Sequence, residues 1–160
     1  MISYIIVFAF LIVGVIIWQI SSKKRYLRLS HQVLPEFILS ILITKKERKI
    51  DQFIVRIQAR EDIEISQLKI EVISNKREFT YILSDELSES ITFPLKIDKQ
   101  ETIDACYEYE SLKSTITKKI ANLKSFRIVV SLPNTKLYKS HELKFDKFWK
   151  IYKSDSGRYN

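Results

Sequence analysis

Glycine is nearly missing: only Gly14 and Gly157 occur in 160 residues. Phosphate-cradling loops use glycine so that the backbone can come close to the phosphate, so a P-loop or a Rossmann dinucleotide fingerprint is excluded between these two positions. Cysteine is limited to Cys106, which rules out an intramolecular disulfide and fits a reducing compartment. Cys106 itself reads as a small buried hydrophobe. Histidine is limited to His31 and His141, and neither has a Cys or His neighbour at metal-ligand spacing. Both read as surface or half-buried side chains, so histidine-based acid–base or nucleophilic chemistry has little to draw on. Glu108 with Glu110 is a local acidic pair of the kind that strands and helix starts carry, and Asp85 and Glu86 read as turn and capping residues. These shortages imply no enzyme, no cofactor, no metal and no small-molecule substrate.

Charge is missing from one end. The first 22 residues hold no Lys, Arg, Asp, Glu or His, so the whole formal charge of +8 belongs to residues 23–160. From Tyr4 to Trp18 every residue is apolar, aromatic or Gly14, and the run extends from Ile2 to Ile20. As a helix it is about 28 Å long, close to the hydrocarbon thickness of a bilayer. It has no polar face to present to water, so a transmembrane helix over residues 1–22 is expected. A cleavable signal peptide fits poorly: no basic residue precedes the run, and bulky Trp18, Gln19 and Ile20 stand where small residues are wanted.

Lys23, Lys24, Arg25 and Arg28 then flank the run. By the positive-inside rule they hold the rest of the chain in the cytoplasm, with the N-terminus outside. They are also placed to meet anionic lipid headgroups. Residues 23–35 read as a basic juxtamembrane connector ending at Pro35.

Beyond Pro35, short β-branched runs separated by polar turns predict a strand-rich domain over 36–145. EFILSILIT (36–44) is apolar on both faces and suits a buried strand, and KKERK (45–49) suits a solvated turn. DQFIVRIQA (51–59) alternates, putting Phe53, Val55, Ile57 and Ala59 on one face. Further strands are expected at 66–74, 78–84, 91–97, 102–107, 126–132 and 137–145. Pro94 marks an edge or a strand end. In the PNTK turn (133–136), Asn134 is the residue suited to positive φ. Leu112, Ile116, Ile120 and Leu123 recur at helical spacing and predict one amphipathic helix over 108–123. Together these elements suggest a mainly β, antiparallel, immunoglobulin-like sandwich with one inserted helix, the alternative being an α+β domain.

FIVRIQAREDIEISQLKIEV, TFPLKIDKQETIDACYEYESL and SFRIVVSLPNTKLYKS occur in that order. The order resembles an arrangement in small bacterial single-pass membrane proteins that have no assigned activity. In them a membrane helix precedes a sandwich, a P-x-x-L-x-x-G-E edge leads into a short helix, and a D-S-x-G-x-x-Y-x-S hairpin closes the domain. The resemblance covers residues 36–145. It departs at both glycines, with Gln100 before Glu101 and Asn134 in the closing turn. It implies an architecture and no activity.

The tail, 146–160 with Phe145 before it, is basic and aromatic. Phe145, Phe148, Trp149 and Tyr152 fall within one helical arc, with lysines between them. Such a segment can pack on the domain, lie on a membrane surface, or offer Trp149 to a protein partner. A sequence pI near 9.5 raises nucleic acid as a partner. The membrane flank accounts for much of that charge and no nucleic-acid fold signature is present, so none is expected. The expected partners are the lipid bilayer and a protein. The sequence thus reads as a membrane-anchored cytoplasmic module for binding or scaffolding. Two alternatives stand beside it: an extracytoplasmic surface or adhesion domain, and a sensor of anionic membrane surfaces.

Overall fold

The computed structural model describes residues 25–46, 49–76, 79–83, 91–119 and 123–144. The apolar run from Ile2 to Ile20, Lys23, Lys24 and the aromatic tail from Phe145 lie outside the described residues. Among the described residues no helix is long and apolar enough to cross a membrane.

Two antiparallel sheets share one apolar core. The first has the order β1 (Arg25–Val33), β2 (Phe37–Lys46), β3 (Lys49–Ala59), β8 (Thr102–Glu108). The second has the order β10 (Leu137–Lys139), β9 (Leu123–Ser131), β5 (Gln67–Ser74), β6 (Phe79–Leu83), and β11 (Leu143–Lys144) also pairs with β9. A two-stranded ribbon joins β4 (Ile63–Ile65) to β7 (Leu95–Ile97). Helix α1 (Tyr109–Lys119) carries the chain from the end of β8 in the first sheet to the start of β9 in the second. Among the described residues there is one helix, of 11 residues, beside these strands, so the fold is mainly β.

The strand alternation read from the sequence sets the inner faces. Leu39, Ile41 and Ile43 of β2 pair with Ile57, Val55 and Phe53 of β3, and all six are buried in the core. Leu68, Ile70 and Val72 of β5 and Phe126, Ile128 and Val130 of β9 meet them from the other sheet. Phe53 links the layers, with its ring 6.4 Å from Tyr107 and 5.8 Å from Phe126. Each such side chain contributes about 1.5–3 kcal/mol by leaving water. The central strands are buried on their outer faces too: Leu42 and Ile54 pair on the first sheet, and Ile73 and Val129 lie outside the second. That is why EFILSILIT shows no alternation.

Several boundaries differ from the sequence reading. Residues 25–33, read as a connector, form the edge strand β1. Its polar and basic composition suits an edge, and a bulge between Arg28 and Ser30 breaks the period of two. The helix keeps Leu112 and Ile116 in the core, but Leu123 opens β9 instead of closing the helix. ITFPLKI shortens to β7, with a cis peptide at Phe93–Pro94. The last strand splits in two because Ser140 turns in to Ile128. The Ser140 N–H donates to Ile128 O at 2.8 Å, and the Ile128 N–H donates to Ser140 Oγ at 2.9 Å.

The closing turn is also corrected. Its positive φ falls on Thr135 (60°), not Asn134, and Gln100 takes a φ of 70°. Both positions therefore hold a left-handed backbone on a residue other than glycine.

The registers give the domain two distinct ends. Arg25 of β1 pairs with Lys45 of β2, and Lys46 pairs with Lys49 across the β2–β3 hairpin. Those residues lie at the entry end, together with the β5–β6 hairpin, α1 and the start of β9. The turns β1–β2, β3–β4, β7–β8 and β9–β10 gather at the opposite end.

Candidate functional site

The turn end holds an open cleft of about 310 Å³, with walls formed by Glu36, the Glu61–Glu64 stretch, and Leu132, Pro133, Asn134 and Lys136. Backbone bonds fix its rim. Arg60 N–H donates to Glu36 O at 2.8 Å, and Leu132 N–H donates to Lys136 O at 2.9 Å. Asp62 accepts the Lys99 N–H at 2.8 Å, which ties the β3–β4 turn to the β7–β8 turn.

Glu36 organises the floor. Its carboxylate accepts hydrogen bonds from Lys136 Nζ and Tyr138 Oη, residues a hundred positions further along the chain. The bond from Lys136, with that from Tyr138, holds the Glu36 carboxyl below the usual carboxylate range. The same Glu36 bond holds the Lys136 ammonium above its ordinary value. Burial, then the bond to Glu36, raises the Tyr138 phenol. Tyr138 packs edge-on against Phe37 at 5.2 Å, and Lys136 Nζ lies 5.2 Å from the Tyr138 ring centroid. This cluster keeps its groups in their ordinary charge states at neutral pH and fixes the turn that forms one wall.

Two other polar clusters lie on the outer sheet faces. Glu71 of β5, only 1% exposed at its side chain, accepts from Arg127 of β9 and from Lys139 of β10 at 3.0 Å. Arg56 of β3 grips Asp104 of β8 through two bonds of 2.7 Å. Each cluster ties adjacent strands across a sheet.

The residues singled out from sequence are scattered over the fold. His31 Nδ1 lies 2.9 Å from Ser40 Oγ on the outer face of the first sheet, while His141 is exposed. Cys106 is half-buried beside Asp104, its Sγ 3.9 Å from the Asp104 carbonyl. Glu110 pairs with Lys113 within α1 at 3.3 Å. Arg25 opens β1 and Arg28 is exposed on it, three residues on. Pro94 is exposed at the start of β7. The 133–136 turn forms part of the cleft wall. Among the described residues no group of three or more His, Cys, Asp or Glu can hold a metal ion.

Sequence reasoning missed Glu36, Glu61, Asp62 and Glu64 as neighbours of Lys136. Glu36, Glu61 and Asp62 come from turns that look like ordinary polar linkers and Glu64 from the three-residue strand β4, and only the sheet registers bring them together. No family model matches the chain, and no match appears among curated proteins or solved structures.

Proposed function

We propose that the chain is a single-pass membrane protein whose cytoplasmic, immunoglobulin-like β-sandwich is a non-catalytic binding or scaffolding module for a protein partner. The observation that carries this reading is the position of the cleft. In the order β2-β3-β8 against β10-β9-β5-β6, the β3–β5 and β9–β10 connections stand where two antigen-contacting loops stand in antibody variable domains. The cleft opens between those two connections. The comparison is one of architecture, so it supports where a partner docks and not which partner it is. The acid side chains along the cleft suit a partner that presents a basic segment.

Support for the anchor comes from the uncharged run Ile2–Ile20, and support for the orientation from Lys23, Lys24, Arg25 and Arg28 behind it. Two reporters at the C-terminus test this, one active only in the cytoplasm and one active only after export. The cytoplasmic reporter is expected to work. Activity of the exported one instead would overturn the orientation and favour an extracytoplasmic surface or adhesion domain. A photo-crosslinking side chain at Asn134 tests the cleft, and a discrete protein adduct is expected. The same adduct from a probe at Asn75, at the opposite end, would overturn the cleft as the binding surface.

A further inference from the structure

The two ends of the domain differ in charge. At the turn end, Lys136 is bound to Glu36 and Lys96 lies 3.9 Å from Glu64. At the entry end, Lys46, Lys76, Lys118, Lys124 and Lys144 are exposed, and none makes an ion pair among the described residues. They come from five separate places: the β2–β3 hairpin, the β5–β6 hairpin, α1, the start of β9 and the end of β11. The exposed acids described at this end are fewer: Glu108 at the end of β8, Glu110, which is engaged by Lys113, and Glu142, which accepts a hydrogen bond from Ser125. Tyr26 is 58% exposed at the same end, one residue into β1.

Chain length fixes what this end can face. Only residues 21–24 separate Ile20 from Arg25. Fully extended, the five steps from Ile20 to Arg25 span at most about 17 Å. The headgroup layer takes up roughly 5–8 Å of that, so Arg25 stays within about 9–12 Å of the headgroups, and the end of the domain that it opens is the one nearest the charged surface, whose field decays over about 8 Å at physiological salt.

We propose that the lysine-rich entry end docks on an anionic membrane surface, holding the acid-lined cleft outward. The inference rests on the proposed membrane anchor. Each lysine near the surface adds attraction, and docking would bring the exposed Tyr26 toward the interface, where aromatic side chains are favoured. Acids on the opposite end are repelled by the same surface, so the two ends favour one orientation together.

The test uses the full chain in nanodiscs of phosphatidylcholine alone and of an equimolar phosphatidylcholine–phosphatidylglycerol mixture. Acetylation of individual lysines is followed by mass spectrometry. In the anionic discs, Lys46, Lys76, Lys118, Lys124 and Lys144 should react about fivefold more slowly than in neutral ones, the factor that corresponds to roughly 1 kcal/mol. Lys96 and Lys99 should be unchanged, and high salt should abolish the difference. The variant Lys46→Glu/Lys76→Glu/Lys118→Glu, checked for folding by circular dichroism, should bring Lys124 and Lys144 back to their neutral-disc rates. Equal rates in both lipids for disc-bound protein would overturn the docking and leave the anchor standing. Failure to enter neutral discs at all would overturn the anchor.

Discussion

Two residues carry a backbone conformation their side chains do not favour. Thr135, at φ 60°, is β-branched, and Gln100 sits at φ 70°. A left-handed conformation costs an L-residue roughly 1–2 kcal/mol, partly offset by the extra freedom glycine has when unfolded. Thr135→Gly and Gln100→Gly should therefore each raise stability by about 0.5–1 kcal/mol, read as an increase in denaturant midpoint at unchanged slope. Glu36 gives a pH signature. Its folded-state pKa is held below the ordinary carboxylate range by the bond from Lys136, so its stabilisation is present above the unfolded carboxylate value and is lost as pH falls through the folded one. In Glu36→Gln the deficit against the parent should be full near neutrality and shrink as unfolding is measured at progressively more acidic pH. Of these residues the sequence shows only part. Asn134 is the left-handed candidate on residue type alone. The conformation falls on Thr135 instead, because it is set by the pairing of Leu132 with Lys136 across the turn.

At the scale of elements, legibility follows burial. β2, β3, β5 and β9 are readable because a buried face imposes a period of two, and Leu112 with Ile116 reveals α1 by a period near four. β1 is not readable, since an edge strand has only one neighbour and keeps polar residues on both faces. β4, three residues long, is too short to show any period. Helix α1 closes the entry end through Tyr109, Leu112 and Ile116, all buried. Ile116→Ala should cost about 2–4 kcal/mol, because the helix is held at both ends by strands and cannot settle into the gap. Thr117→Ala, exposed on the same turn, should stay within about 0.5 kcal/mol in the same denaturation experiment. A loss confined to Ile116 assigns the helix to the core, and equal losses would make it a surface appendage.

At the scale of the molecule, charge is visible in the sequence only as a sum. The +8 and the basic flank are plain, but their division into a lysine-rich end and an acid-lined end depends on which turns share an end, and that is set by strand registers. The cleft is hidden for the same reason. The same long-range pairing has a consequence for how the chain acquires its shape. Arg56 meets Asp104 across 48 residues, Glu71 meets Arg127 across 56, and Glu36 meets Lys136 across 100. A meander of β1, β2 and β3 can form early during synthesis, yet β5 has no inner partner until β9 has left the ribosome. Chains with such distant contacts fold in milliseconds to seconds, slower than helical bundles. Under the membrane anchor proposed above, the domain would spend that interval with its unpaired strands beside the lipid surface. β1 stays at the sheet edge throughout, with Tyr26, Leu27 and Val33 exposed. Its bulge at Arg28 and Ser30 and the charge of Arg28 then guard against pairing between neighbouring nascent chains as much as they serve the finished fold.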